Sequence, residues 1–477
     1  MKPILLIDFG STYTKLTAVD VDAETLLGTA SAFTTIETDI GDGLQEGLAK
    51  LTQETGPLDF AETYACSSAA GGLRMITSGL VPELTSEAAR LASLGAGAKV
   101  IQVYSFELTE DDLAQIASLN PDIFLLVGGT DGGNTDCILH NAQMLARLQP
   151  TFPIIMAGNR SAVTRVRQIL AGCNLHVCAN VMPAFGKLNI EETQAKIRAL
   201  FLDRIVQAKG LTQAASLLSD ICMPTPSAVL SAVELLAEGY QPPLELTLSP
   251  EPGIGELLAV DVGGATTDVY SIATGRPTTA GTVMKGLPEP YRKRTVEGDI
   301  GMRYSIHGIV EAAGLGTIAQ QAGLSPARTQ QLVDFLAVHT DLVPDSPAAA
   351  ALGQDLAALD FALAGQAVRI ATARHAGTLE ETYTTAGQTF VQTGKDLREV
   401  SRILVTGGSL IHTARTEEIA RCALFDPSDP MSLRPRDAEI YIDRSYILAA
   451  MGLLSAHYPA AALRIMKKEL THHGHRQ

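Results

Sequence analysis

The chain has 477 residues, more than one hydrophobic core usually serves, so two or three domains are expected. Its 46% hydrophobic and 18% charged residues can bury sizeable cores, and 42 glycines with 5% aromatics suit an α/β protein full of tight strand-to-helix turns. The net charge of −16 argues against nucleic acid as a partner, because that interaction depends on neutralising phosphates with Lys and Arg.

The first elements read strand (Ile4–Asp8), strand (Thr14–Asp20), strand (Leu27–Phe33), helix (Gly43–Thr55) and strand (Thr63–Ser67). The first two strands are joined by Asp8-Phe9-Gly10-Ser11-Thr12-Tyr13-Thr14-Lys15. Glycine lets the backbone turn tightly and come close to a ligand, and such a turn presents N–H groups and hydroxyls to phosphate oxygens. Asp8, ahead of the turn, is placed to hold a hydrated Mg²⁺ against those phosphates. Taken alone, the segment is equally an ordinary hairpin turn. The run Ser67 to Gly72 then ends the fifth element in a small-residue turn.

Strand-like runs at Lys99–Val103, Asp122–Val127, Pro153–Met156 and His176–Ala179 alternate with helical patterns at Ser86–Leu94, Thr109–Leu119, Cys137–Leu148 and Ala162–Leu170. That spacing predicts βα units on a parallel sheet. Two glycine-rich turns here, Val127 to Asn134 and Met156 to Arg160, read as packing turns in preference to a second phosphate site. A long polar helix from about Ile190 to Lys209 follows, then a proline-rich linker from Pro242 to Gly253.

The second half repeats the opening pattern. Leu257-Leu258-Ala259-Val260-Asp261-Val262-Gly263-Gly264-Ala265-Thr266-Thr267-Asp268 is again an apolar strand, an Asp, glycine and hydroxyls, and a second strand runs from Asp268 to Ala273. Two such hairpins, facing each other, make a nucleotide clamp. A Gly-rich stretch, Glu297 to Gly301, could line the adenosine side or a hinge. Helix is expected around Pro326 to Arg374, N-capped by Ser325. Ile403-Leu404-Val405-Thr406-Gly407-Gly408-Ser409-Leu410-Ile411 reads as a buried strand ending in a Gly-Gly turn that enters a helix, and a terminal helix spans about Asp443 to His457. No apolar stretch approaches a membrane span in length, and Met1-Lys2 runs directly into a strand, so neither a membrane segment nor a signal peptide is expected. Six scattered cysteines without a C-x-x-C argue against disulfides or zinc and for a reduced cytoplasm.

The order of two phosphate hairpins and a late Gly-Gly turn resembles the actin, Hsp70 and sugar-kinase superfamily. The resemblance implies an α/β, ribonuclease H-like ATPase fold with two similar halves. Residues 1–73 would open the first half and 251–477 form the second. Residues 74–250 would be an inserted α/β domain, part of which extends the first half. It also implies ATP or ADP with Mg²⁺ as ligands. Carried over by position, Asp8 and Asp261 flank the γ-phosphate and its Mg²⁺: Asp8 holds the metal's water shell, and Asp261 orients or deprotonates the attacking water. Gly10, Ser11, Thr12, Tyr13, Thr14, Gly263, Gly264, Ala265, Thr266 and Thr267 would cradle phosphates, and Gly407, Gly408 and Ser409 would hold the adenosine. Lys15 either pairs with phosphate or faces solvent; Asp268 either acts on the metal or hydrogen-bonds the turn.

A narrower resemblance rests on the same two hairpins, on Val127 to Asn134, on Val405 to Ser409, on Asn180-Val181-Met182-Pro183 and on Met223-Pro224-Thr225-Pro226. Together these are similar to the accessory protein of methylaspartate (glutamate) mutase, the GlmL or MutL family, unrelated to the mismatch-repair protein of that name. The resemblance implies a slow, chaperone-like ATPase that reactivates an adenosylcobalamin-dependent mutase, with mutase subunits as partners; a homodimer stays open. The same fold also serves small-molecule kinases and subunits of hydantoinase- or oxoprolinase-type enzymes. Another reading has the clamp bind nucleotide only as a structural switch. Fold alone does not choose among them.

Overall fold

The structure, a computed structural model, describes residues 1–10, 13–33, 40–68, 73–208, 220–242, 250–340, 342, 352–384 and 387–473. They fall into two compact units: residues 1–23, 27–228 and 286–290 in the first, and 24–26, 229–285 and 291–477 in the second.

The first unit opens with β1 (Pro3–Phe9), β2 (Tyr13–Asp20), β3 (Thr25–Phe33), α1 (Ile40–Thr55) and β4 (Glu62–Ser67). Every residue of β1 is buried, as the apolar run Ile4 to Ile7 demands of a strand covered on both faces. β2 runs antiparallel to β1, and β4 pairs with β1 in parallel. In α1 the stripe Leu44, Leu48 and Leu51 faces the sheet, and Gly47 sits over Leu16, where a Cβ would lie 2.3 Å from Leu16 Cδ1.

The chain then builds β5 (Arg74–Gly79), α2 (Glu87–Gly95), β6 (Lys99–Ser105), α3 (Glu110–Leu119), β7 (Ile123–Leu126), α4 (Asp136–Leu148), β8 (Ile154–Met156), α5 (Val163–Ile169), β9 (Leu175–Val177) and α6 (Glu191–Ala208). All the pairings in this second sheet are parallel, in the order β6-β5-β7-β8-β9. The order reverses between β5 and β7. α2 and α6 cover one face, sharing a core with Leu5, Ile7 and Met75; α3, α4 and α5 cover the other. The four strands and helices expected here all form. The interior strand β5 is the one not anticipated, because Arg74, Thr77 and Ser78 break up the apolar run on which a buried strand is recognised. After it, β10 (Asp220–Pro224) joins the first sheet beside β4, giving the order β10-β4-β1-β2-β3.

In the second unit β11 (Gly239–Tyr240) pairs with β12 (Glu251–Pro252) at the two ends of the expected linker. The main strands are β13 (Leu257–Val262), β14 (Thr267–Ile272), β15 (Thr282–Lys285), β16 (Arg292–Glu297), β17 (Thr378–Thr384), β18 (Gly387–Thr393), β19 (Arg402–Thr406), β20 (Glu439–Ile442) and β21 (Thr471–His473). The large sheet has the order β16-β14-β13-β19-β20-β21. β13 is antiparallel to β14 and parallel to β19, as β1 is to β2 and β4. Each unit therefore contains the same ribonuclease H-like sheet, the actin-type arrangement. A separate sheet, β15-β18-β17, was not foreseen, its two longer strands β17 and β18 being rich in Thr, Gln and Glu.

The helical stretch from Pro326 resolves into Pro326–Val338, N-capped by the Ser325 hydroxyl, and the core helix Gln354–His375. That core helix is long and apolar enough to cross a membrane by length and composition, which corrects the reading that no stretch reaches that length; it is mostly buried. The terminal helix begins at Leu448, later than expected, because buried Asp443 turns both carboxylate oxygens onto the Ile447 and Leu448 N–H groups. A further helix, Pro459–Glu469, follows it.

Candidate functional site

In the first unit Asp8 lies one residue before the end of β1, 5% exposed. Lys15 stands directly opposite on β2 and Cys66 beside it on β4. Lys15 Nζ is 3.4 Å from Asp8 Oδ2, so its side chain lies beside that carboxylate. The Thr225 hydroxyl donates to Asp8 Oδ1 at 2.6 Å, and Cys66 Sγ lies 3.5 Å from the same oxygen. Burial, followed by the charge of Asp8, pushes the Cys66 thiol well up, so it remains a proton donor. Gly10 is required by contact: its N–H donates to the Asp8 and Tyr13 carbonyls, and a Cβ would lie 2.5 Å from Tyr13 O. The Tyr13 ring lies tilted against Phe33 with centroids 4.6 Å apart, and Thr14 is fully buried. Ser11 and Thr12, the expected hydroxyls of this turn, lie outside the described residues.

Thr225 was quoted in the sequence only as part of a resemblance. Its signal was weak because it follows Pro224 and begins a helix 217 residues from Asp8. Replacing it tests the contact. Thr225→Val should lower unfolding free energy by about 1–3 kcal/mol, the cost of losing a hydrogen bond to a buried carboxylate oxygen that then keeps only the longer Cys66 contact, and Thr225→Ser should restore most of it. Equal denaturant midpoints for all three proteins would show that Asp8 does not depend on this hydroxyl.

The second unit carries the other two motifs. Asp261 stands opposite Asp268 on β14 and beside Thr406 on β19. Asp268 Oδ1 accepts from Arg294 Nε at 2.8 Å and Nη2 at 2.6 Å, and Thr266 Oγ1 lies 3.4 Å from Oδ2. Burial alone would lower the Arg294 pKa, but Asp268 and Tyr270 together outweigh it and hold the guanidinium above its usual range. The turn closes through Gly263 N–H onto the Thr266 carbonyl. Thr267 is fully buried and gives its hydroxyl hydrogen to the Ile300 carbonyl, so it braces the turn from below. The Gly263 and Gly264 carbonyls accept from the N–H groups of Met302, Arg303 and Tyr304, and a Cβ on Gly301 would strike the Ala265 backbone at 2.3 Å. The Gly-rich stretch from Glu297 to Gly301 thus leads into the backing of the turn from Gly263 to Thr266.

Gly407 ends β19 at φ +102°, and a Cβ there would meet Val262 O at 2.4 Å and Asp261 Oδ1 at 2.8 Å. Gly408 is exposed, and a Cβ on it would meet nothing within 4 Å. The helix behind them, Gly408–Ile411 with Ser409 half-buried, is a single turn. Folding brings Gly407 onto the Asp261 carboxylate, although 146 residues of sequence number separate them. Among the described residues, no group of three or more His, Cys, Asp or Glu forms a metal cluster.

Several solved structures align with the chain. A xylulose kinase from Lactobacillus acidophilus is 11% identical with a TM-score of 0.36, covering 99% of this chain and 93% of the kinase. The ADPNP-bound activator of 2-hydroxyisocaproyl-CoA dehydratase from Clostridium difficile is 10% identical, TM-score 0.33, covering 99% and 100%. A diol dehydratase-reactivating factor is 11% identical, TM-score 0.33, covering 96% and 100%. These alignments are too loose to add to the strand order described above. In sequence, "Protein MutL" of Clostridium tetanomorphum is 46% identical over 474 residues, 98% of this chain and 99% of that protein. The family model described as MutL protein matches residues 4–470, and the chain belongs to that family.

Proposed function

We propose that the chain binds Mg²⁺-ATP through its two hairpin turns, hydrolyses it slowly, and serves as an accessory protein that reactivates an adenosylcobalamin-dependent mutase. The observation that carries the nucleotide reading is the shared register: Asp8 and Asp261 occupy the same place in two sheets of the same strand order, each immediately before a glycine turn. The client reading rests on membership of the MutL family.

The residues present fit these ligands. A carboxylate has about four acceptor positions, so Asp8 can accept from Thr225 and Lys15 and still from waters of a hydrated Mg²⁺, the oxygen environment that ion prefers. Gly408 leaves its side of the third turn open to a base or ribose. Bound Mg²⁺ would neutralise charge on the β- and γ-phosphates. In this reading Asp8 orders the water shell, and Lys15 adds a positive charge that shifts between Asp8 and phosphate. Asp261 orients or deprotonates the attacking water. Asp268, held by Arg294, keeps β14 in place and Thr266 beside the phosphates. Thr267 serves the turn rather than the ligand. Residues 1–73 and 251–477 supply the two halves; within residues 74–250, β10 extends the first half and the remainder includes the insertion that meets the client.

Mg²⁺-ATP at a hundredfold excess over its Kd should stabilise the protein by about 2.7 kcal/mol. Differential scanning fluorimetry checks this, and no shift with either millimolar Mg²⁺-ATP or Mg²⁺-ADP rejects the nucleotide reading. Turnover that rises steeply with one metabolite would instead identify a kinase.

A further inference from the structure

We infer that the carboxyl end of the parallel sheet β6-β5-β7-β8-β9 is a docking surface for a protein that offers an apolar pocket ringed by Lys and Arg, with Phe106 as the side chain that enters it. The identity of that protein as the mutase rests on the reading above; the surface is read from the fold.

Phe106 follows β6 with φ +69°, a conformation that favours glycine and is an outlier for a bulky residue. The fold holds it there from both sides. Its N–H donates to the Gly79 carbonyl at 2.9 Å, and its carbonyl accepts from Asn141 Nδ2 at 3.0 Å. Asn141 is fully buried and also accepts from the Leu108 N–H at 2.8 Å, so its side chain is committed to fixing this turn. Yet the ring so fixed is 59% exposed. Glycine would make the same turn without strain; the chain instead keeps a strained aromatic residue pointing outward. Strain maintained by surrounding structure is a mark of functional positions.

The location supports the same conclusion. Open α/β sheets place their ligands outside the carboxyl ends of the strands, near the point where strand order reverses, and here β5 and β7 form that point. Phe185, 80% exposed, lies two residues from Pro183, whose carbonyl accepts from the Asp131 N–H in the loop after β7. The loops of this end expose Glu83, Glu107, Asp111 and Asp136 against the basic Arg160 and Lys187. An acidic rim around apolar anchors complements a basic rim around an apolar pocket.

The test measures binding of purified adenosylcobalamin-dependent methylaspartate mutase to the full chain, to Phe106→Gly and to Glu107→Lys, at low and moderate salt. Phe106→Gly should unfold at the same temperature or higher, because the left-handed turn is relieved, yet bind roughly 30-fold more weakly. Glu107→Lys should weaken binding about fivefold at low salt and lose much of its salt dependence. Wild-type binding that both variants retain in full overturns the surface and leaves the client reading standing. No wild-type binding overturns the client reading and this surface with it. Self-association in sedimentation that depends on Phe106, in place of mutase binding, overturns the partner stated here.

Discussion

Asp261→Asn should lower ATP turnover by roughly 10²–10³-fold while leaving nucleotide binding nearly unchanged. The amide keeps the size of the carboxylate, so the turn and its contact with Gly407 survive, but it can neither take a proton nor attract a metal-bound water. Asp268 cannot substitute from the facing strand, because its Oδ1 is already held by both Arg294 nitrogens. Asp8→Asn should behave differently. Its partners Thr225 and Lys15 are a hydroxyl donor and a cation, so loss of the charge weakens the Lys15 contact as well as the hold on Mg²⁺. That variant should lose Mg²⁺-dependent nucleotide affinity by about tenfold in addition to turnover. Phosphate release and titration of a fluorescent ATP analogue, each with and without Mg²⁺, separate the two patterns. Parent-rate hydrolysis in both variants would show that neither carboxylate serves the reaction.

Gly407→Ala should destabilise the second unit by about 2–4 kcal/mol, one of the largest effects available from a single methyl group in this chain. Two costs combine. The residue holds φ +102°, where an L side chain is strained, and its new Cβ would overlap the Val262 carbonyl and crowd Asp261. Relief would push β19 away from β13 at the end where both motifs meet. The adjacent Gly408→Ala is the control, since its Cβ would enter open space and stability should change by no more than about 0.5 kcal/mol. If the adenosine lies on this turn, Gly408→Ala should nonetheless weaken nucleotide binding. Chemical denaturation reads the first pair of effects and nucleotide titration the second. Equal stability of the two variants would remove the close approach of β19 to Asp261 as a requirement of the fold.

Much of this molecule is legible in one dimension because its signals are local. The apolar runs from Ile4 and Leu257 are strands buried on both faces, and the Asp-x-Gly turns after them close through contacts only a few residues apart, such as Gly10 to Tyr13 and Gly263 to Thr266. The alternation between Lys99 and Leu170 likewise reports a parallel sheet, since each βα unit buries its own apolar stripe. Elements whose stability comes from neighbours left no such trace. β5 lies inside its sheet with polar Thr77 and Ser78 because β6 and β7 flank it, and β10 ends in a proline that a strand tolerates at its terminus. The same division runs through the candidate site. The sequence alone named Asp8, Asp261 and the Gly407-Gly408 turn, because glycine and acid in that pattern carry a local backbone meaning. Thr225 and Cys66 on Asp8, Arg294 on Asp268, and Gly407 against Asp261 were decided by tertiary structure. Each pairs residues at least 26 positions apart, and a side-chain contact of that kind is set by strand register, which short-range spacing does not encode.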